Sequence, residues 1–264
     1  MSEQQPVPQC VVILGGGSGI GAATARRLAG EGAAIVLLDR DEDAARRVAG
    51  EIGGRSLFIG LDALDEAAMQ AAARRVEESG LPPVDGLVAS AGIAQPPTPV
   101  EDFDADAFDR VLDSHVRTSY TAARAFGGGM AARGRGAVVL LASVLAFRPG
   151  PVFAYGAGKA ALVSLTQSLA VHWAAKGVRV NAVAPGWTDT PLLQRPNRDG
   201  SARDFSPILE STPQGRLLRP DEIAAVIRFL LSAESSAVTG ATIPADGGVI
   251  AGSGWAPYGG FPRA

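Results

Sequence analysis

Seven short apolar runs, separated by stretches of helical spacing, constrain the fold of this 264-residue chain more than any other feature. Each run has the length of a β-strand and is largely apolar, so both faces of the predicted strand must be covered. The runs are residues 11–14, 33–38, 56–61, 84–89, 137–142, 178–184 and 241–243. Such strands, joined by helices, form a parallel sheet with helices on both faces. The sequence therefore predicts a doubly wound α/β fold with a seven-stranded parallel sheet.

The intervening stretches predict six helices, over residues 20–28, 43–52, 65–78, 107–132, 157–175 and 221–232. Asp221 follows Pro220 and is the predicted N-cap of the last helix. No internal repeat or linker interrupts the pattern, so we expect one domain over residues 1–264. The longest irregular segment, residues 187–213, follows the sixth strand and is predicted to form a lid.

Composition narrows the class of protein. The formal charge is −3 with both signs mixed along the chain, which disfavours a nucleic-acid or membrane surface. The one cysteine, Cys10, opens an apolar run and is predicted to be a buried, inert thiol. No apolar run approaches the ~20 residues of a membrane span, and residues 1–9 lack the features of a signal peptide. We therefore expect a cytoplasmic protein with no nucleic-acid, membrane or metal partner.

A glycine-rich turn follows the first predicted strand. It comprises Gly15, Gly16, Gly17, Ser18, Gly19, Ile20 and Gly21. Glycines permit a tight bend and a close backbone approach, and the following helix offers unpaired N–H groups to a pyrophosphate. Glycines also make ordinary turns, but the position between a strand and a helix favours a dinucleotide site.

Acidic residues at the ends of the next two strands extend this prediction. Asp39 ends the second strand, where a carboxylate accepts hydrogen bonds from adenosine ribose hydroxyls and repels a 2′-phosphate. This favours NAD, although Arg40 leaves NADP open, and a plain turn residue is the other interpretation of Asp39. Asp62, followed by Ala63, can contact the adenine or cap the next helix, and the two roles are compatible.

Tyr155 and Lys159 lie four residues apart, so a helical segment would place both on one face. On one helix face their Cβ atoms would be about 5–6 Å apart. A nearby cation lowers a tyrosine pKa from its usual value of about 10, and an oxidised nicotinamide would lower it further. Such a tyrosine exchanges a proton with a hydroxyl or carbonyl group. Ser143, at the end of the fifth strand, can hydrogen-bond the same oxygen, or it is only a structural serine.

Together these motifs resemble the classical short-chain dehydrogenase/reductase family, from about residue 11 to residue 248. The matching positions are Gly15–Gly21, Ala91, Gly92, Ser143, Tyr155, Lys159, Asn181, Pro185, Gly186, Thr188, residues 219–224 and residues 246–248. The resemblance implies a Rossmann fold and hydride transfer between a nicotinamide cofactor and a secondary alcohol or ketone. It also implies that Lys159 holds the nicotinamide ribose, and that Pro185, Gly186 and Thr188 contact the nicotinamide side.

Three positions depart from the family pattern. Leu14 replaces a threonine before the glycine turn, and Ser90 replaces the asparagine that precedes Ala91 and Gly92. His115 stands where the family has a fourth catalytic residue, an asparagine. A histidine there either sustains a proton relay behind Lys159 or is a polar core residue that kinks the long helix.

The predicted substrate pocket is largely apolar. Its expected lining is Leu145, Phe147, Val152, Phe153, Trp187, Leu192 and Leu193. Such a pocket suits a hydrophobic or moderately polar secondary alcohol. Arg148 and Arg195 lie nearby; we expect both to be solvated, but either would bind an acidic substrate group if it pointed inward.

Residues 249–264 form a tail rich in glycine and proline that carries Trp255, Tyr258 and Phe261. We expect the tail to pack at a subunit boundary; the alternative is a frayed terminus. The family resemblance implies a homo-oligomer, a tetramer or a dimer, and His172 and Trp173 are interpreted as packing or interface residues.

Three functions remain open on the sequence alone. The first is an NAD-dependent oxidoreductase acting on a polyol, a sugar or another secondary hydroxy compound. The second is a non-catalytic, NAD-binding regulatory or scaffold protein on the same fold. The third is an NADP-linked reductase with the same chemistry.

Overall fold

A computed structural model describes residues 7–196, 200–255, 257 and 260–261 of the chain. Its centre is one seven-stranded sheet with the order β3-β2-β1-β4-β5-β6-β7, in which every neighbouring pair is parallel. The strands are β1 Cys10–Leu14, β2 Ala34–Asp39, β3 Ser56–Gly60, β4 Gly86–Ala89, β5 Gly136–Leu141, β6 Val178–Pro185 and β7 Thr242–Ala245. The predicted doubly wound α/β fold is confirmed.

The helices cover both faces of this sheet. They are α1 Gly19–Gly30, α2 Glu42–Ile52, α3 Glu66–Glu77, α4 Ala105–Ala132, α5 Phe153–Ala174, α6 Ser206–Ser211 and α7 Pro220–Leu231. Alternate residues of β1 show the two layers: Val12 packs in the core beneath α3, α4 and α5, whereas Val11 and Ile13 pack beneath α1, α2 and α7. Among the described residues, no helix is long and apolar enough to cross a membrane.

Each of the six predicted helices begins one to four residues away from its predicted start, and two of these shifts concern roles assigned to residues. α5 begins at Phe153 and not at residue 157, so Tyr155 lies in its first turn. The prediction that Asp221 is the N-cap of α7 is wrong, because Pro220 is already the first helical residue. Proline is favoured there because its fixed φ suits a helix and its missing N–H is not needed. The cap is made from within the helix, where Glu222 Oε2 accepts the Arg219 N–H at 2.8 Å.

Buried polar groups join the end of the sheet to its surroundings. The Asn181 amide bonds Val238 O and the Ala241 N–H at 2.8 and 3.0 Å, which holds β6 against the start of β7.

Cys10 is fully buried, as predicted, and burial is the main cause that raises the pKa of its thiol to about 12.

Gly127 allows a close approach between α4 and α5. A Cβ built at Gly127 would lie 2.3 Å from Trp173 Cη2, so the indole packs directly on the bare backbone of α4. Trp173 is buried, as its interpretation as a packing residue requires. Gly128, the next residue, is exposed and has no atom within 4 Å of the equivalent position.

This pair of glycines gives a matched test of the packing. Gly127→Ala should destabilise the protein by about 1–2 kcal/mol, because the cost of overpacking exceeds the ~1 kcal/mol that alanine gains in a helix. Gly128→Ala should stabilise it by about 0.5–1 kcal/mol. Urea unfolding of both variants measures the difference, and equal effects would contradict the packing described for Trp173.

Candidate active site

The carboxyl ends of the parallel strands place the candidate residues along one edge of the sheet. Asp39 ends β2, Ser90 follows β4, Ser143 follows β5 and Pro185 ends β6. In open α/β sheets ligands bind beyond this edge, where the order of the strands reverses. Here the reversal lies between β1 and β4, beside the glycine turn.

The glycine turn touches the loop that follows β4. Gly15 has a φ of +77°, and a Cβ there would lie 2.7 Å from Ala91 N. A Cβ at Gly21 would lie 2.1 Å from Gly15 O. Both positions therefore require glycine, and the predicted tight turn is present.

Ser90 and Leu14, two departures from the family pattern, meet at this contact. The Ser90 hydroxyl donates to Leu14 O at 2.7 Å, and the Ser90 N–H donates to the same oxygen at 2.9 Å. The side chain that follows β4 therefore bonds the backbone at the end of β1. This bond does not need a hydroxyl at position 14.

Asp39 lies against the glycine turn. Its Oδ2 accepts the Gly17 N–H at 2.9 Å and its Oδ1 accepts the Asp41 N–H at 3.0 Å. A Cβ at Gly17 would lie 2.9 Å from the carboxylate, so this glycine gives the close approach its space. Arg40 is exposed.

Asp62 is exposed, and its Oδ1 accepts the Leu64 N–H at 3.0 Å. The interpretation of Asp62 as the cap of the next helix is wrong, because Asp65 is the N-cap of α3 and accepts the Ala68 N–H. Ala63 is buried, and its carbonyl accepts a hydrogen bond from Thr121 of α4.

Ser143, Tyr155 and Lys159 come together between β5 and α5. Tyr155 and Lys159 share one face of α5, and the Lys159 ammonium lies 5.5 Å from the centre of the tyrosine ring. Lys159 Nζ donates to Leu141 O at 2.6 Å, two residues before Ser143. The Ser143 hydroxyl is close enough to the Tyr155 hydroxyl to lower the pKa of the phenol. This grouping is the one that the spacing predicts.

Burial governs the electrostatics of this group. Tyr155 as a whole residue is only partly buried, but removal from water raises its pKa, and the Ser143 hydrogen bond opposes that rise. Burial likewise lowers the pKa of Lys159 to about 7, so the lysine carries a full charge only in acid. The sequence predicts a lowered pKa for Tyr155, whereas in the structure burial, the largest cause, gives the opposite direction.

His115 is 1% exposed and lies edge-on to the Tyr155 ring, with ring centres 4.9 Å apart. Its Nε2 bonds Ile93 O at 3.0 Å, and its Nδ1 has no partner among the described residues. Burial, followed by the charge of Lys159, lowers the pKa of His115 well below its usual value. Helix α4 runs without interruption through position 115. With its pKa well below the usual value, the imidazole is neutral at physiological pH.

The predicted pocket residues lie in the segments that flank the site. Phe147 and Phe153 are exposed, whereas the others are half-buried: Leu145, Val152, Trp187, Leu192 and Leu193. Arg195 is exposed, as expected. The expectation for Arg148 is wrong, because its Nη1 donates to Val249 O at 2.9 Å and anchors the loop after β5 to the tail.

The segment predicted as a lid approaches the glycine turn. The Thr190 side chain lies 3.3 Å from the position of a Cβ on Gly19, at the start of α1. Thr188 is buried, and its hydroxyl donates to Gly186 O at 3.1 Å. This segment contains α6.

Part of the tail packs on its own chain. A Cβ at Gly252 would lie 2.6 Å from the Phe261 ring and 2.9 Å from Pro213, so the tail returns to the predicted lid segment. Trp255 is exposed, and Tyr258 lies outside the described residues. The position of the tail at a subunit boundary stays a prediction.

Sequence reasoning missed two residues of this site. Thr190 has no distinguishing pattern within a polar segment, and its place beside Gly19 depends on the path of the chain. Gln95 is buried, and its Oε1 accepts the backbone N–H groups of Ala154 and Tyr155. The sequence signal that could have indicated such a partner is Val152, because a valine has no side-chain oxygen with which to cap the helix that follows it.

Comparisons with known proteins agree with this geometry. A family model described as enoyl-(acyl carrier protein) reductase matches residues 15–250. Galactitol 2-dehydrogenase (L-tagatose-forming) of Cereibacter sphaeroides is 41% identical over 243 residues, which are 90% of this chain and 94% of that protein. Cis-4-hydroxycyclohexanecarboxylate dehydrogenase of Sinomonas cyclohexanicum is 41% identical over 244 residues, which are 91% and 96% of the two chains.

Solved structures resemble the whole chain. A crystal structure described as ribose-5-phosphate isomerase from Brucella melitensis 16M has a TM-score of 0.91 and 39% identity, over 98% of this chain and 99% of that one. The 3-ketoacyl-(acyl-carrier-protein) reductase from Brucella melitensis, complexed with NADH, has a TM-score of 0.84 and 36% identity, over 92% and 98%.

The buried lysine predicts how stability depends on pH. Unfolded, Lys159 keeps its proton up to a pKa of about 10.4, whereas in the folded protein its pKa is about 7. Between these values the unfolded state binds more protons, so this group makes stability rise with pH. The free energy of unfolding of the wild type, minus that of Lys159→Met, should increase by ~1 kcal/mol per pH unit between about pH 7.5 and 9.

Urea unfolding at several pH values measures this difference. The exposed Lys176 provides the matched control, since Lys176→Met removes an ammonium from the surface. Curves of wild type and Lys159→Met that stay parallel over this range would contradict the burial of Lys159.

Proposed function

This chain belongs to the short-chain dehydrogenase/reductase family, and we propose that it interconverts a secondary alcohol and its ketone with NAD, using Tyr155 as general acid and base. Secondary alcohol oxidoreduction with a nicotinamide cofactor follows from the relatives and the family. The proposal adds the choice of NAD and the roles of residues. The observation that carries it is the grouping of Ser143, Tyr155 and Lys159 beside a glycine turn.

The residues of the turn fit a dinucleotide. Ser18, at the N-cap of α1, makes no side-chain cap bond, so the first N–H groups of the helix remain for a pyrophosphate. The tight packing of the turn is possible because Gly15, Gly17 and Gly21 lack a Cβ, for which these positions have no room. Residues proposed to complete the binding site are Ser18, Gly19, Ile20, Asp39, Arg40, Asp62, Ala63, Ser90, Ala91, Gly92, Tyr155, Lys159, Pro185, Gly186 and Thr188.

Asp39 supports NAD over NADP. Its carboxylate already lies at hydrogen-bond distance from the Gly17 N–H, where an adenosine ribose would meet the turn. A negative charge there accepts bonds from ribose hydroxyls and repels a 2′-phosphate. Arg40, on the surface, does not outweigh it in this proposal.

The chemistry divides between the cofactor and three side chains. Bound in the glycine turn, the nicotinamide cofactor would supply the hydride acceptor for oxidation of the alcohol carbon and the hydride donor for reduction of the ketone. The Tyr155 oxygen takes the proton of the alcohol hydroxyl during oxidation and gives it to the carbonyl oxygen during reduction. The Ser143 hydroxyl donates a hydrogen bond to the same substrate oxygen as negative charge develops on it.

Lys159 and His115 support Tyr155 in different ways. We propose that Lys159, when protonated, opposes the effect of burial on the Tyr155 pKa and holds the nicotinamide ribose. The neutral His115 packs on the Tyr155 ring, which makes it a positioning residue and not a carrier of positive charge. A proton relay through His115 would require its unpaired Nδ1 to accept a proton in a buried site.

The substrate we propose is a polyol, a sugar or another compound with a secondary hydroxyl group. The two relatives described above act, by their names, on galactitol and on a hydroxycyclohexanecarboxylate. Both compounds present a secondary hydroxyl on a carbon skeleton. The pocket of Leu145, Phe147, Val152, Phe153, Trp187, Leu192 and Leu193 offers mainly apolar walls to such a skeleton.

We also propose that the protein forms a homo-oligomer, a dimer or a tetramer. Tyr120 on α4 is 48% exposed and Val171 on α5 is 82% exposed, although both are large apolar side chains. Covering them with a second copy of the chain would remove this apolar surface from water.

The role of Tyr155 is tested by Tyr155→Phe. Turnover should fall by ~10²–10⁴-fold, because the general acid and base is lost, while the dissociation constant for NADH stays within about twofold. NADH absorbance with a panel of polyols, sugars, cyclic hydroxy acids and hydroxyacyl compounds measures turnover. Tyr120→Phe, on α4, is the control and should stay active.

Two results would count against the proposal. Turnover retained by Tyr155→Phe would remove Tyr155 from its role. Tight NADH binding with no turnover of any panel compound by the wild type would favour a non-catalytic, NAD-binding protein.

The cofactor preference is tested by Asp39→Asn, which keeps an oxygen for the Gly17 N–H but removes the charge. The wild type should bind NADH at least about tenfold more tightly than NADPH. Asp39→Asn should improve NADPH binding by about tenfold and leave the folded structure intact. Quenching of tryptophan fluorescence measures both constants, and Asp43→Asn on the surface of α2 is the control. A wild type that binds NADPH as tightly as NADH would overturn this preference.

A further inference from the structure

The helix that carries Tyr155 begins without a cap of its own. Val152 occupies the N-cap position of α5 and has no side-chain oxygen. The first N–H groups of a helix need an acceptor outside it, usually a serine, threonine, aspartate or asparagine at the N-cap. Phe153, Ala154 and Tyr155 are the first three residues of α5, so the reactive tyrosine lies in the turn that is least held by the helix itself.

Gln95 supplies the missing acceptor from a distant part of the chain. Its Oε1 accepts the Ala154 N–H at 2.9 Å and the Tyr155 N–H at 3.1 Å. The two bonds span 59 and 60 residues of sequence. Gln95 is 6% exposed and lies in the loop that leaves β4 after Gly92.

The orientation of this amide is fixed by its neighbours. Both groups that face Oε1 are N–H donors, so the amide nitrogen cannot take that place. Nε2 is then left buried with no hydrogen-bond partner among the described residues. A buried donor without a partner costs stability, so this orientation of the amide satisfies two N–H groups of α5 at the expense of its own nitrogen.

The same short loop contacts Tyr155 from a second side. Ile93, two residues before Gln95, accepts the bond from His115 Nε2 at 3.0 Å. The His115 ring in turn lies edge-on to the Tyr155 ring. One loop therefore fixes the backbone of Tyr155 through Gln95 and its ring through His115.

We propose that Gln95 is a positioning residue for the reaction. It caps α5 from a distant part of the same chain, fixes the first turn of the helix and thereby fixes the position of the Tyr155 oxygen. The inference rests on the proposed function of Tyr155. The loop of Gln95 leaves β4 beside the glycine turn, so the cap ties the proton-transfer group to the part of the protein that holds the cofactor. Small displacements of a reacting group, of about 1 Å, can cost about a hundredfold in rate.

Two substitutions separate the acceptor from the bulk of the side chain. Gln95→Met keeps the length and removes the acceptor; it should lower kcat about ten- to a hundredfold with KM and NADH affinity within about threefold. Gln95→Glu keeps an acceptor for both N–H groups and should restore kcat to within about threefold of the wild type. Its added negative charge should also raise the apparent pKa of the group that must be deprotonated for alcohol oxidation.

Backbone amide exchange gives a readout independent of turnover. In Gln95→Met the Ala154 and Tyr155 amides should exchange at least about tenfold faster, while amides in the middle of α5 keep the wild-type rate. Thr98→Val is the control, since Thr98 is equally buried in the same loop and the only partner of its hydroxyl among the described residues is Pro96 O, at 3.1 Å. Thr98→Val should change neither kcat nor the exchange of these two amides.

The outcomes distinguish this inference from the proposed function. If the wild type is active, Tyr155→Phe is inactive and folded Gln95→Met keeps kcat within about twofold, Gln95 has no positioning role although the proposed function stands. If Gln95→Glu is as slow as Gln95→Met, the acceptor is not the feature that matters, and the inference is also wrong. If the wild type turns over no substrate, the proposed function fails, and unchanged amide exchange in Gln95→Met would refute the cap as well.

Discussion

The contact between two backbones, that of the glycine turn after β1 and that of the loop after β4, is the constraint on which the site depends. Gly15 approaches Ala91 so closely that no side chain fits between them. Ser90 closes the contact with its bond to Leu14 O. The loop after β4 continues through Ile93 to Gln95, which accepts hydrogen bonds from the first turn of α5. The turn that suits a pyrophosphate and the helix that carries Tyr155 are thus parts of one packed unit.

Burial sets the chemical character of this unit. The carbonyl of Leu141 is the hydrogen-bond partner described for the Lys159 ammonium, and His115 is held uncharged between backbone and ring. Removal from water moves the pKa of Tyr155 up and that of Lys159 down, so both groups favour their uncharged forms. Charges interact more strongly in a buried site than in water. The protonation of Tyr155 and Lys159 therefore responds strongly to negative charge on a bound substrate oxygen.

The sequence was sufficient for the fold and for the residues that follow strands. Apolar runs located all seven strands, and glycines after β1 located the turn, because these signals are local. Sequence reasoning failed where the partner of a residue is distant in the chain. Nothing near Val152 in the sequence shows that Gln95 caps α5. Likewise, nothing about residue 190 shows that it contacts Gly19. Asp221 was given the role of an N-cap because its residue type suits one, although Pro220 already begins the helix. The direction of the Tyr155 pKa was wrong for the same reason, since burial is a property of the packed chain.

The bond from Arg148 to the carbonyl of Val249 has a consequence for how such a pocket can diversify. A guanidinium that binds the main chain recognises no particular side chain in the tail. The acceptor therefore survives a change of side chain at residue 249, because every residue type has the same carbonyl. The loop that follows Ser143 keeps this anchor as long as the path of the main chain in the tail is kept.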